Sequence, residues 1–212
     1  MTTVRRGREK LHYLNPAPIN AIAERWIDRY DRERVRALAD LKTALEATPM
    51  SGSDEAFVYT TYIRTTPERL WQALTDPAFT SRYWGVTFDT GWTAGSPMTW
   101  EQGGQQTVDA AQVVLESEPG RRLSYTWHTF TPEWAKAVGV SEDVLAKLVD
   151  ERRSKVTFDI EPLGELVKLT VIHDGMETGG TLREMISQGW PALLSSLKTL
   201  LETGETLPDR AG

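Results

Sequence analysis

The segment from Thr181 to Leu201 constrains the fold more than any other part of the chain. Leu182, Met185, Ile186, Trp190, Leu193, Leu194, Leu197 and Leu201 recur there at three- and four-residue spacing, which lays one apolar stripe along a helix. Such a stripe stabilises a helix only when something covers it, because propensity alone contributes little in water. Thr181 and Glu184 stand at capping-box spacing and Gly204 at the position of a C-terminal stop, so the helix is expected to run between them, burying the whole stripe. Gly189-Trp190-Pro191 interrupts the pattern; a proline inside a helix costs about 3 kcal/mol or more unless a kink absorbs it, and a bend is expected there.

The cover is a set of strands. Residues 56–64 are rich in β-branched and aromatic side chains, and Thr66-Pro67 then offers an N-cap with proline at N1 for a helix carrying Leu70, Trp71 and Leu74, stopped by Asp76-Pro77. Further strands are expected at 97–102, 107–116, 122–130, 154–161 and 166–173. Most are separated by turn sequences, Gly103-Gly104, Glu118-Pro119-Gly120 and Pro162-Leu163-Gly164-Glu165, so neighbours should be antiparallel. Residues 132–153 have helical composition, with Trp134, Val138, Val144, Leu145 and Leu148 as apolar members, and read as an inserted lid or flap. Together these elements predict an α+β fold in which a curved antiparallel sheet grips the long C-terminal helix, with a pocket between them.

An N-terminal arm precedes this domain. Residues 4–14 read as a basic turn around Gly7 leading into a short strand, and Asn15-Pro16-Ala17-Pro18 breaks the chain before a helix. Ile19, Ile22, Ala23, Trp26, Ile27 and Tyr30, then Val35, Leu38, Leu41 and Leu45 after a phase slip, form a second apolar stripe that needs the main domain or another chain to cover it; a homodimer through residues 19–45 is expected. Thr48-Pro49-Met50-Ser51-Gly52-Ser53-Asp54 reads as a linker, separating an arm at 1–49 from a domain at 54–205. Charge changes at the same point: residues 1–50 hold 10 basic and 7 acidic side chains, and the remainder 14 and 23, which accounts for the net −6.

Composition narrows the chemistry. With 40% hydrophobic and 25% charged residues, no apolar run near the roughly 20 residues of a membrane span and no h-region after Met1–Lys10, a soluble cytoplasmic protein is expected. The absence of cysteine removes disulfides, thiolate nucleophiles and cysteine-held metals. No two histidines have ligand spacing, so neither a metal nor a cofactor is expected. Glu101, Asp109, Glu116 and Asp159 fall on separate strands or far apart, with no acid–base signature linking them, and Gly103-Gly104 and Gly179-Gly180 lack the context of a phosphate loop. Eight tryptophans are the main resource. Trp84, Trp100, Trp127, Trp134 and Trp190, with Phe88 and Met185, form either an apolar cavity or plain core packing. His173 shares the parity of Val167, Leu169 and Val171 and is placed at the pocket end, either as a satisfied structural histidine or as a catalytic base. His128 has the opposite parity to Leu123, Tyr125 and Trp127 and should point outward if the alternation persists.

The runs VYTTYIRTTPERLWQALTDPAFTSRYWG, EPGRRLSYTWHTF, VTFDIEPLGELVKLTVIHDG and GWPALLSSLKTLLETGE closely resemble the SRPBCC (START-like) superfamily, within its heat-shock-protein-90 ATPase-activator homology group, over residues 54–205. The resemblance implies a helix-grip fold and, for function, apolar ligand binding, co-chaperone action on an ATPase, or an enzyme using the cavity. TTVRRGREKLHYLNPAPINAIAERWIDRY resembles the wing hairpin and dimerising helix of an ArsR-type winged-helix repressor, which implies that Arg5, Arg6, Arg8 and Lys10 contact DNA phosphates if a helix–turn–helix precedes them in a longer reading frame. The combined expectation is a ligand- or partner-binding module forming the sensor half of a regulator, rather than a self-contained enzyme.

Overall fold

A computed structural model describes residues 2–6, 9–13 and 56–208. By its contacts the chain divides into two units, Met1–Ser53 and Asp54–Gly212. In the first, strands β1 (Thr2–Arg6) and β2 (Glu9–Tyr13) pair antiparallel with Arg5 opposite Lys10. Arg8, the linker and the apolar stripe expected at 19–45 lie outside the described residues.

The second unit opens with β3 (Phe57–Ile63) and a pair of short helices, α1 (Pro67–Thr75) and α2 (Pro77–Tyr83). Thr66 caps α1, its hydroxyl accepting from the Arg69 amide at 3.2 Å, and Pro67 opens the helix where an amide proton would have no intrahelical partner anyway. Asp76 both ends α1 and caps α2, its carboxylate accepting from Ala78 at 2.9 Å. Strands β4 (Val86–Asp89), β5 (Thr99–Gln102) and β6 (Gln105–Thr107) form a three-stranded sheet. Strands β7 (Val114–Glu118), β8 (Arg122–Thr126), β9 (Lys155–Leu163) and β10 (Leu166–Asp174) join β3 in a second sheet, ordered β3-β10-β9-β8-β7 and antiparallel throughout. Bonds from Gly95 to Val114 and from Met98 to Gln112, both 2.8 Å, stitch the two sheets at one edge.

The flap between β8 and β9 consists of α3 (Pro132–Val138) and α4 (Glu142–Asp150). The last element is α5 (Thr181–Thr203), a 23-residue helix. Along β10 burial alternates strictly, Val167, Leu169, Val171 and His173 facing inward, and Phe158 and Val156 on β9 continue that surface. Leu194, Leu197 and Leu200 of α5 pack into it, each at most 4% exposed. The fold is therefore the α+β arrangement expected, a curved antiparallel sheet around a long C-terminal helix.

Several local expectations are corrected. The strand expected at 107–116 is broken: Asp109 turns the chain by accepting from Ala111 at 2.8 Å, so β6 ends at Thr107 and β7 begins at Val114. The strand expected at 122–130 ends at Thr126. Between Asp76 and the strand expected at 97–102 the chain forms two further elements, helix α2 and strand β4. Helix α5 is one element from Thr181 to Thr203 that includes Pro191, and its stripe is not wholly buried, since Met185 is 38% exposed.

The capping box is replaced by a tertiary contact. The N-cap is Gly180, which has no side chain to offer; the Glu151 carboxylate at the end of α4 instead accepts from the amides of Thr181 at 2.5 Å and Leu182 at 3.3 Å. A carboxylate at a helix N-terminus satisfies orphan amides and complements the helix dipole. The fit explains the glycine: a β-carbon on residue 180 would stand 2.9 Å from Oε2 of Glu151. Glu151→Ala is expected to destabilise the domain by about 1–2 kcal/mol, and Gly180→Ala to do so in the same direction by displacing that carboxylate; urea denaturation of both variants measures the effect.

Candidate ligand site

Between the sheet and the N-terminal half of α5 lies a cavity of about 270 Å³. One wall is the helix: Leu182, Met185, Ile186, Gly189, Trp190 and Leu193 recur at helical spacing and turn one face inward. The opposite wall comes from Trp84 at the end of α2, Trp100 and Gln102 on β5, and Trp127, His128 and Phe130 just past β8. Trp134 on α3 completes it. Four tryptophans touch in a ring-edge network: Trp84 lies 5.7 Å from Trp100, 6.1 Å from Trp127 and 5.7 Å from Trp190, while Trp100 is 5.0 Å from Trp127. Edge-to-face and tilted pairs at these spacings hold rings rigidly. Exposed Met185 and Gly189 mark the mouth.

Six of the eight residues expected to line a cavity are on its wall, namely Trp84, Trp100, Trp127, Trp134, Met185 and Trp190. Phe88 is not. It packs behind the wall, 4.7 Å from Trp100 and 5.7 Å from Tyr125, because its place on β4 opposite Trp100 points it into the core. His173 is not on the wall either. It is fully buried, with Trp127 at 4.6 Å and Trp190 at 6.2 Å. The Trp190 indole donates to its Nδ1 at 3.2 Å, which makes Nδ1 an acceptor and leaves the proton on Nε2 for the Ser154 hydroxyl at 2.8 Å. Both ring nitrogens are engaged, and the imidazole fixes a cavity tryptophan from behind.

His128 was expected to point outward and instead lines the cavity at 6% exposure. The parity argument fails because the strand stops two residues earlier and another set of bonds takes over. The Trp127 amide donates to Ser154 at 2.8 Å; the Thr129 amide donates to Gln112 Oε1 at 2.9 Å; and Arg153 donates to the Trp127 carbonyl at 2.7 Å and to Asp109 at 2.9 Å. The Thr129 hydroxyl donates to the same Asp109 carboxylate at 2.6 Å, and this bond, with help from the Ala111 amide and Arg153, holds the carboxyl of Asp109 below its usual value. Gln112 is itself fully buried and anchored to the carbonyls of Met98 and Thr107 at 2.9 Å. Chain 127–130 is thus held by the side chains of Asp109, Gln112 and Arg153 and by the Ser154 carbonyl, which no strand-periodicity argument detects.

Of the acidic residues weighed from the sequence, Glu116 and Asp159 meet through Arg122, whose Nε lies 2.6 Å from Glu116 and whose NH1 bonds Asp159. They sit on the outer face, away from the cavity. Among the described residues no group of three or more histidine, aspartate or glutamate side chains could hold a metal, and no helix is long and apolar enough to cross a membrane.

Burial lowers the pKa of His128 to about 4 and of His173 to about 3, so both imidazoles stay neutral in the fold. In the unfolded chain each takes up a proton below its ordinary value of 6.5. Stability is therefore complete above that pH and falls as pH drops toward 4, by up to about 1.4 kcal/mol per pH unit for each histidine. Urea midpoints measured between pH 7.5 and 4.5 are expected to decline, and His128→Gln to flatten the decline by about half; an unchanged midpoint across this range would mean the imidazoles are charged in the fold.

The Activator of Hsp90 ATPase homolog 1-like protein family model matches residues 64–202. No curated protein matches the chain. Similar solved structures include a Mesorhizobium loti protein, 24% identical over 69% of this chain and 96% of its own, at a TM-score of 0.53. The Aha1 dimer from Colwellia psychrerythraea is 19% identical over 71% and 98%, at 0.51, and CalU16 from Micromonospora echinospora 18% over 74% and 79%, at 0.51. At these identities the structures share the fold. Since the family model covers well over half of the sequence and the same curved sheet and helix, the chain belongs to the Activator of Hsp90 ATPase homolog 1-like family, an SRPBCC-type fold.

Proposed function

We propose that the domain binds a small apolar molecule and serves as the sensor half of an ArsR-type regulator. One observation carries the binding role: the cavity of about 270 Å³ is bounded by tryptophans braced against one another, a geometry that keeps it open. Aromatic residues serving only as core would interdigitate and leave no such space, since interiors pack to crystal density. An enzymatic role finds little support, because His173 has both nitrogens occupied away from the cavity, and among the described residues no carboxylate lines the wall.

The regulator role rests on the arm. Its hairpin sets Arg5 opposite Lys10, as the wing of a winged helix would, and Arg5, Arg6, Arg8 and Lys10 would meet DNA phosphates only alongside a helix–turn–helix. Residues 19–45 would supply the homodimer contact. A ligand would shift such a regulator only by binding its two states with different affinity. The family name suggests a competing role, activation of a chaperone ATPase through a protein-docking surface; a rise in ATP turnover by the cognate chaperone on adding this chain would favour it.

A thermal-shift screen of apolar metabolites is expected to find stabilising compounds, a ligand at one hundred times its Kd adding about 2.7 kcal/mol. Gly189→Leu should weaken or abolish the shift without unfolding the protein: nothing lies within 4 Å of a β-carbon at that position, and a leucine there would obstruct the cavity mouth. A library without a single stabilising compound would overturn the proposal. Sedimentation at micromolar concentration is expected to give a dimer, and deletion of residues 1–49 a monomer that binds the same compounds.

A further inference from the structure

Building on the cavity proposed above as a ligand site, the geometry points to its ligand class: a neutral aromatic molecule of about two fused rings, carrying a hydroxyl that donates to Nε2 of His128. The imidazole Nδ1 lies 2.9 Å from the Thr129 carbonyl oxygen. A carbonyl can only accept, so the proton sits on Nδ1 and Nε2 keeps a lone pair. That choice is fixed by the surroundings, because Thr129 is itself held by Gln112 and Arg153.

Among the described residues nothing hydrogen-bonds to Nε2, although the residue is 6% exposed and lies on the cavity wall. The Nε2 lone pair is thus free to meet a donor that enters the cavity. The other nitrogen- or oxygen-bearing acceptor side chain on the wall, Gln102, is already used: its Oε1 accepts from the Trp134 indole at 2.9 Å. Among the described residues one open side-chain acceptor therefore remains on the wall, and its complement is a donor; Trp100, also on the wall, carries a buried indole N–H without a partner, and a hydroxyl is a group that can both donate and accept.

The rest of the molecule follows from the walls and the volume. Rings of Trp100, Phe130 and Trp134 stand 4.9, 4.7 and 4.9 Å from the imidazole, so a donor reaching Nε2 arrives between aromatic surfaces, where a ring packs best. Among the described residues no Asp, Glu, Lys or Arg lines this cavity, and a charged ligand would lose its hydration with nothing in exchange. An enclosed space of roughly 150 Å³ takes one benzene; about 270 Å³ takes a substituted bicyclic ring.

Calorimetric titration of the full chain at neutral pH with 2-naphthol, 2-methoxynaphthalene, naphthalene and 2-naphthoate tests this without any variant. The naphthol is expected to bind at least tenfold more tightly than the methoxy compound and the naphthoate. Apolar burial alone predicts no such preference, since the methoxy compound is the more apolar. His128→Phe should lower naphthol affinity to the level of the methoxy compound while leaving the latter within about twofold, for a phenyl ring keeps the stacking and loses the acceptor. Equal binding of the three neutral probes would overturn the His128 contact while leaving the cavity as a ligand site. Tightest binding of naphthoate would overturn the neutral class. No binding of any probe would remove the cavity role itself and this inference with it.

Discussion

The domain depends on how helix α5 divides its apolar face. Its C-terminal half presents Leu194, Leu197 and Leu200 to the sheet, and each is almost wholly removed from water, worth about 2 kcal/mol apiece by area. This end is also tied by polar contacts: Lys198 donates to the Tyr62 carbonyl at 2.5 Å, and Glu202 accepts from the Arg64 amide at 2.8 Å. The N-terminal half faces the cavity and lacks the same sheet packing. It is held from its two flanks, by Glu151 at its first turn and by the Trp190–His173 bond at its middle. One helix is thus both the clamp that closes the core and the wall of an unfilled space.

The supporting bonds share a plan. His173, Gln112 and Arg153 all act from behind the wall, fixing Trp190, Thr129 and Trp127 respectively. Each satisfies its own polar atoms while doing so, which is the condition under which buried polar groups rigidify a site instead of destabilising it. The cavity side is left to rings, aliphatic side chains and two polar residues, Gln102 and His128, so its shape and its chemistry are set by different residues.

Much of this was legible in the sequence. Period-two burial on β10, the Thr66-Pro67 entry to α1, the Gly103-Gly104 turn and the stripe of α5 are local patterns with local causes. The same cap-and-proline signal recurs at Asp76-Pro77 and Thr131-Pro132 and opens α2 and α3; at Asp76 it ends α1 as well, and the stop hides the start. What stayed hidden depended on distant chain. His128 turns inward because Gln112 and Arg153 end the strand early, and α5 is capped by a residue thirty positions upstream. Phe88 and His173 have the composition of a cavity wall, yet lie one layer behind it, and only packing separates the two layers.

Gly189 carries a consequence for helix propensity. A glycine inside an exposed stretch of helix gives up roughly 1 kcal/mol relative to alanine, and here an alanine methyl would meet no atom within 4 Å. Sterics do not require the glycine, nor does its backbone, which is ordinary helix. The chain keeps in the middle of the longest helix among the described residues a residue that weakens that helix, and the volume so released borders the cavity.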